Sequence, residues 1–190
     1  MIRAQGRWLR LLAVLHLLAW SAGAVADDSG EGYSAEEILT RAERFLGDGA
    51  RGLGEVVEKL FAEKGRPNAY IEGEEAGGAI GVGVRYGKGT LVMRDGRSRT
   101  VYWRGPSLGF DLGASAARVF VLVYHLQRPE DLYQRFPGVE GSLYFVAGIG
   151  AHYLQSGELV LAPIRLGVGW RQGANVGYMQ FSPRRDWNPF

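Results

Sequence analysis

The chain has 190 residues, 29 of them glycine, and no cysteine; its 22 basic and 20 acidic residues give a formal net charge of +2. This length predicts one domain with at most a small appendage. Without cysteine the chain has no disulfide, zinc–thiolate or iron–sulfur site, no thiol nucleophile and no lipid-modified cysteine anchor.

Residues 1–26 have the three parts of a secretory signal peptide. Three arginines precede an apolar run over residues 11–20, and Ala24-Val25-Ala26 predicts cleavage after Ala26. The alternative is a membrane anchor, but the run has about half of the roughly 20 residues that span a bilayer. We therefore expect an exported protein that works outside the cytoplasm. Without those arginines, 19 basic residues face 20 acidic ones, which argues against nucleic acid as a partner.

Residues 27–66 are predicted to form a helical region. Ser34 and Glu37 have the spacing of a capping box, and apolar residues recur at helical spacing until Gly47. A second helix is expected from Leu53 to Lys64, ending at a glycine that precedes a proline. Such amphipathic helices most often pack on a core; the alternative is a helix lying on a membrane surface.

From residue 67 to residue 190 the pattern changes to short apolar runs separated by turn residues, which predicts an all-β domain. Asp95-Gly96 is a hairpin signal, and the segment from Arg128 to Phe136 suits one or two helical turns. We predict strands over residues 69–72, 79–86, 90–94, 99–103, 107–112, 118–126, 142–154, 159–170 and 174–181.

Glycines recur inside these strands, often at two-residue spacing. This spacing indicates sharp coiling or a closely approached face, both typical of a small closed β-barrel that is mainly antiparallel. Val119, Val121 and Val123 alternate with larger apolar residues, so this strand should be covered on both faces, with the two helices as one cover. The glycines that indicate coiling are Gly81, Gly83, Gly109, Gly113, Gly148, Gly150, Gly167, Gly169, Gly173 and Gly177.

Several motifs suggest chemistry but lack the surrounding structure that the chemistry needs. Gly105-Pro106-Ser107-Leu108-Gly109 matches the G-x-S-x-G nucleophile elbow of serine hydrolases, yet it lies in a strand-like region rather than between a strand and a helix. Residues 83–90 resemble a phosphate-binding loop but are better interpreted as a tight hairpin. Neither His125 nor His152 has metal-ligand spacing, so we predict no metal, no cofactor and no catalytic residue.

Motifs spread over nearly all of the mature chain resemble those of the envelope-integrity protein A family of exported bacterial proteins. The resemblance implies a small soluble periplasmic β-barrel that supports envelope integrity and has no established enzymatic activity. The family offers no catalytic residues that could be assigned to positions of this sequence. The motifs are PNAYIEGE at 67–74, YGKG at 86–89, YWRGPS at 102–107, YQRFPGVEG at 133–141 and WNPF at 187–190.

A weaker resemblance links residues 81–91, 107–113, 119–123 and 161–164 to SYLF lipid-binding domains. It suggests a phospholipid or glycolipid partner and peripheral membrane contact; an envelope protein is the other possible partner. Arg85 and Lys88, near Tyr86, are the candidate head-group contacts, and Trp103 and Trp170 the candidate acyl contacts. The alternative for these residues is a structural role, as surface charge or in core or rim packing.

Two other functions stay open at this point. A chain of antiparallel strands that ends in Phe190 has the size of an integral outer-membrane β-barrel, although Pro189 and the leading helices argue against one. A serine hydrolase that uses Ser107 is the second alternative. A non-enzymatic envelope protein remains the prediction.

Overall fold

The computed structural model describes residues 32–47, 51–111, 117–166 and 177–186. The predicted signal peptide and Trp170 lie outside these residues. Within them, no helix has the length and apolar character needed to cross a bilayer.

Two helices open the described chain, as the sequence predicts. Helix α1 is Ala35–Leu46 and helix α2 is Leu53–Lys64. The capping box forms in full, because the Glu37 N–H donates to Ser34 Oγ at 3.2 Å and the Ser34 N–H donates to Glu37 Oε2 at 2.8 Å. Helix α2 ends at Gly65, whose N–H donates to the Phe61 carbonyl oxygen.

Antiparallel strands make up the rest, with one 3-10 helix at Pro129–Leu132. The strands are β1 (Ala69–Met93), β2 (Ser98–Asp111), β3 (Ala117–Tyr124), β4 (Arg135–Pro137), β5 (Tyr144–Val146), β6 (Ile149–Ala151), β7 (Leu154–Ser156), β8 (Leu159–Leu166) and β9 (Tyr178–Ser182). Their order in the sheet is β4-β9-β2-β1-β3-β8-β6-β5, and β7 pairs with β8. A bridge between Gly138 and Leu154 joins the β4 end of the sheet to β7, so the sheet curls into a barrel. The predicted all-β barrel with two amino-terminal helices is confirmed.

Several predicted strand boundaries are wrong. Predicted strands 69–72, 79–86 and 90–94 are one strand, β1, and 99–103 and 107–112 belong to one strand, β2. The hairpin predicted over residues 83–90 is therefore also wrong, whereas Asp95-Gly96 does turn the chain between β1 and β2. Glycine interrupts a sequence pattern without ending the strand, since it also adopts the extended conformation.

Further differences lie towards the carboxyl end. Predicted strand 118–126 ends at Tyr124, and Arg135 and Phe136, predicted in the helical segment, belong to β4. The single strand predicted over 142–154 is instead β5 and β6, joined through Ala147 and Gly148, which both have positive φ. Strand β8 agrees with predicted strand 159–170 as far as the described residues extend. Strand β9 begins at Tyr178 and ends at Ser182, whereas the prediction covered residues 174–181, of which 174–176 lie outside the described part of the chain.

The G-x-S-x-G motif lies inside β2, where Ser107 pairs with Gly83 and Gly109 pairs with Gly81. A nucleophile elbow requires a sharp turn between a strand and a helix. The backbone on both sides of Ser107 is extended and paired with β1, so the motif does not form a nucleophile elbow.

Strand β3 separates two hydrophobic clusters, as its alternation predicts. Phe120, Leu122 and Tyr124 face one cluster, which contains the buried sides of α1 and α2. Val119 and Val121 belong to the second cluster, which contains residues of β1, β2, β4, β7, β8 and β9. The helices thus cover one face of the sheet, and the apolar side chains of the second cluster lie in the barrel interior.

The two halves of β1 contact each other where their residues lack side chains. A Cβ on Gly73 would lie 2.7 Å from the Lys88 carbonyl oxygen, and a Cβ on Gly89 would lie 2.5 Å from the Glu72 carbonyl oxygen. Glycine is therefore required for the strand to coil this tightly. The sequence predicts the coiling, and one of the glycines it singles out, Gly177, makes a similarly close approach, to Pro106.

Gly87 accommodates the largest side chain of this region. It pairs with Trp103 in the β1–β2 ladder, and a Cβ on Gly87 would overlap the indole ring. Trp103 is 2% exposed and cannot swing into solvent without leaving the core.

We expect Gly87→Ala to lower the free energy of unfolding by about 1–3 kcal/mol, the usual cost of overpacking a core. Gly54→Ala is the matched control, because Gly54 lies in α2 and an added Cβ would meet nothing within 4 Å. That variant should be unchanged or more stable by up to about 1 kcal/mol. Urea unfolding of both variants measures the difference; equal stabilities would show that the indole can move aside.

Candidate functional site

The ladder between β1 and β2 places aromatic and basic side chains on one outer face of the barrel. Tyr86 lies directly opposite Arg104, and Lys88 lies opposite Tyr102. Alternation along a strand puts these four residues on the same face, while Trp103 points to the interior. The Lys88 Nζ lies 6.0 Å from the centre of the Tyr102 ring.

A pocket of about 330 Å³ lies over this face. The coiled halves of β1 form its walls together with β2, and the segment that follows β9 supplies the remaining side. The described residues that line it are Glu74, Glu75, Ala76, Tyr86, Gly87, Lys88, Tyr102, Trp103, Arg104, Ser182, Arg185 and Asp186.

A buried carboxylate ties together the strands beneath this pocket. Glu75 is 4% exposed, and its Oε1 accepts a 2.8 Å hydrogen bond from the Trp103 Nε1–H. Arg165, on β8, donates from Nε to Oε2 at 2.8 Å and from Nη2 to Oε1 at 2.9 Å. Arg85 Nη1 lies 3.7 Å from Oε2. One carboxylate therefore links β1, β2 and β8 through charge-assisted hydrogen bonds.

Opposing effects set the pKa of Glu75. Burial raises it, but the charge and the hydrogen bonds of Arg165, with smaller contributions from Arg85 and Trp103, outweigh burial and lower the pKa to about 2. His152, close to the same cluster, has its pKa lowered to about 3 by burial and by the positive charges of Arg165 and Arg85. At neutral pH the cluster therefore combines an ionised glutamate with an uncharged histidine.

The structure brings together only some of the residues predicted for a ligand. Tyr86, Lys88 and Trp103 line the pocket, although the Trp103 indole is buried and bonded to Glu75. Arg85 instead faces the Glu75 cluster. Trp170 lies outside the described residues.

Four residues of this region are not among those that the sequence predicts for a site: Tyr102, Arg104, Glu75 and Arg165. The Asp95-Gly96 hairpin is a signal for Tyr102 and Arg104. If both of its strands continue past the predicted ends, the hairpin register places Arg104 opposite Tyr86. Glu75 and Arg165 carry no such signal, because they are 90 residues apart and meet only when the sheet curls.

We expect Glu75→Gln to lower the free energy of unfolding at pH 7 by about 3–5 kcal/mol, since it leaves buried arginine without its counter-charge. The folded pKa of about 2 lies below the ordinary value of 4.5, so the carboxylate stabilises the fold above pH 4.5 and loses this effect as the pH falls towards 2. Urea midpoints measured from pH 7 to pH 2 should therefore fall less steeply below pH 4.5 in the variant.

Glu130→Gln is the control for this measurement. Glu130 forms an exposed pair with Arg99 at 3.3 Å, and exposed pairs contribute little to stability. If the two variants had the same pH dependence, the buried cluster would not be the source of the acid sensitivity.

Comparisons with known proteins agree with this architecture. The family model described as envelope integrity protein A matches residues 31–190. A crystal structure titled a beta-barrel-like, uncharacterized protein from Brucella abortus is similar to the chain, with 44% identity and a TM-score of 0.78. The match covers 85% of this chain and 100% of that one. No curated protein matches. The resemblance to SYLF domains stays a prediction.

Proposed function

The chain belongs to the envelope integrity protein A family, and from this premise we propose that it supports the cell envelope by binding a lipid or glycolipid, without catalysis. The observation that carries the proposal is the outer pocket, where tyrosine rings and basic side chains lie next to each other. Aromatic rings contact acyl chains or sugar rings, and basic groups contact anionic head groups.

The size of the pocket limits what it can hold. Small-molecule sites have volumes of about 300–1,000 Å³, and a pocket of about 330 Å³ is at the lower end of that range. We therefore propose that it holds a head group with the beginning of a chain, while the rest of the lipid stays outside. This mode needs only peripheral contact with a membrane, in the periplasm where the predicted signal peptide would deliver the protein.

The chemistry of the pocket floor supports binding rather than catalysis. A general base works best with a pKa near the operating pH. The Glu75 carboxylate, with a pKa of about 2, is a weak base and is already engaged by Trp103 and Arg165.

We expect Ala76→Trp to block binding, because Ala76 is exposed and lines the pocket, so a large ring there fills it. The matched control is Ala62→Trp, which adds the same ring at an exposed position of α2. Native mass spectrometry with monomeric dihexanoyl phosphatidylglycerol and with octyl glucoside measures complex formation. Binding should fall about tenfold or more in Ala76→Trp, which corresponds to a loss of at least 1.4 kcal/mol, and stay unchanged in Ala62→Trp.

Failure of the unmodified protein to bind either amphiphile would argue against lipid binding. It would favour a role in which the barrel surface contacts an envelope protein. Equal binding by Ala76→Trp and Ala62→Trp would show that the ligand binds outside this pocket.

Washing of membranes tests the mode of association. We expect high salt or carbonate to release the protein, because transmembrane barrels carry their apolar band outside, whereas the apolar clusters described here lie inside the barrel and beneath the helices. An unrelated integral outer-membrane protein in the same preparation controls for membrane recovery. Retention of this protein in the washed pellet would instead favour the outer-membrane alternative.

A further inference from the structure

Arg104 is a buried cation whose hydrogen bonding is incomplete. It is 8% exposed, lines the pocket, and donates from Nη1 to the Asp186 carboxylate. Its Nε–H has no hydrogen-bond partner among the residues that the structure describes. A guanidinium offers five donors in a planar fork, and a buried donor without an acceptor costs free energy. The environment of Arg104 therefore favours a further acceptor.

The two members of this ion pair are held very differently. Arg104 lies in the middle of the sheet, where its backbone pairs with Tyr86 on one side and Gln180 on the other. Asp186 lies four residues beyond the end of β9, and its side chain is 47% exposed. Exchange of the aspartate for another anion would leave every described strand pairing intact.

The surrounding charges favour an anion in that place. The described lining carries three basic side chains, Lys88, Arg104 and Arg185. Three acidic side chains, Glu74, Glu75 and Asp186, also line it, and Glu75 is already neutralised by Arg165. Even without Arg185, which has contacts of its own, displacement of Asp186 would leave Lys88 and Arg104 with Glu74 alone, an excess of positive charge at the pocket. Arginine recognises carboxylates and phosphates through two parallel hydrogen bonds, a geometry that Asp186 uses only in part.

We propose that Arg104 is the anion-recognition residue of the pocket and that the Asp186 carboxylate occupies the ligand's place until the ligand displaces it. The ligand class is an amphiphile whose polar end carries a phosphate or a carboxylate, with Tyr86 and Tyr102 contacting the adjoining part. This inference rests on the proposed lipid binding and adds the group that is recognised. It also makes the segment after β9 a competitor of the ligand.

Two variants separate this competition from a merely structural ion pair. Asp186→Asn removes the competing charge, so the affinity for anionic amphiphiles should rise about threefold to tenfold, while Arg104→Gln should lower it about tenfold or more. Arg99→Gln is the control, because it removes an exposed arginine from the same strand and should change nothing. If Arg104→Gln does not fold, Asp186→Asn alone decides.

The probes are monomeric dihexanoyl phosphatidylglycerol, decanoate, octyl glucoside and inorganic phosphate, each titrated by native mass spectrometry at fixed ionic strength. We expect only the two anionic amphiphiles to respond to both variants. Unchanged or weaker binding of these two probes by Asp186→Asn would overturn the competition. If inorganic phosphate bound as tightly as the lipid, the proposal that the ligand is an amphiphile would be overturned. The pocket would then be a site for a free anion.

The same titrations distinguish this inference from the proposed function beneath it. If octyl glucoside bound as tightly as the anionic amphiphiles, and Arg104→Gln did not change the affinity for any of them, lipid binding would stand. The role of Arg104 in anion recognition would be overturned. Absence of binding by every amphiphile, to the unmodified protein and to Asp186→Asn, would overturn both.

Discussion

The buried carboxylate of Glu75 is the interaction on which the barrel's architecture depends. It connects the first half of β1 to β2 through Trp103 and to β8 through Arg165. Burial of charges is expensive, and such a cluster persists only when nearly every donor and acceptor is satisfied. The cluster therefore specifies one way of curling the sheet, because any other register would bury a glutamate or an arginine without its partner.

The glycines and the tryptophan next to this cluster are consequences of the same constraint. For its indole to reach Glu75, Trp103 must pass over Gly87 and Gly73, where a side chain would overlap the ring. The tight coil of β1 in turn places Tyr86 and Lys88 on its outer side. The interior chemistry is thus structural, while the outer face, built by the same strands, carries the groups suited to recognition.

This division also explains which parts of the candidate site the sequence could predict. Tyr86, Lys88 and Trp103 were found because they lie in short motifs of aromatic, basic and glycine residues. Arg85 was placed with them by sequence proximity, but alternation along the strand turns it towards Glu75. Arg104 does not follow from the sequence pattern, because the predicted strand ends at Trp103 and its register opposite Tyr86 is then concealed. Asp186 is far along the chain and gives no local signal.

The sequence by itself determined the helices, the hairpin at Asp95-Gly96, the two-sided burial of β3 and the all-β class, because each depends on contacts between near neighbours or on simple periodicity. Only the tertiary structure decided that β1 and β2 are continuous, that Glu75 meets Arg165, and that Arg104 meets Asp186. The continuity of the strands depends on a backbone coil that glycine permits but does not enforce. The two ion pairs join residues that are 82 or more positions apart in the chain. Local patterns contain no information about which distant charge will meet a buried one.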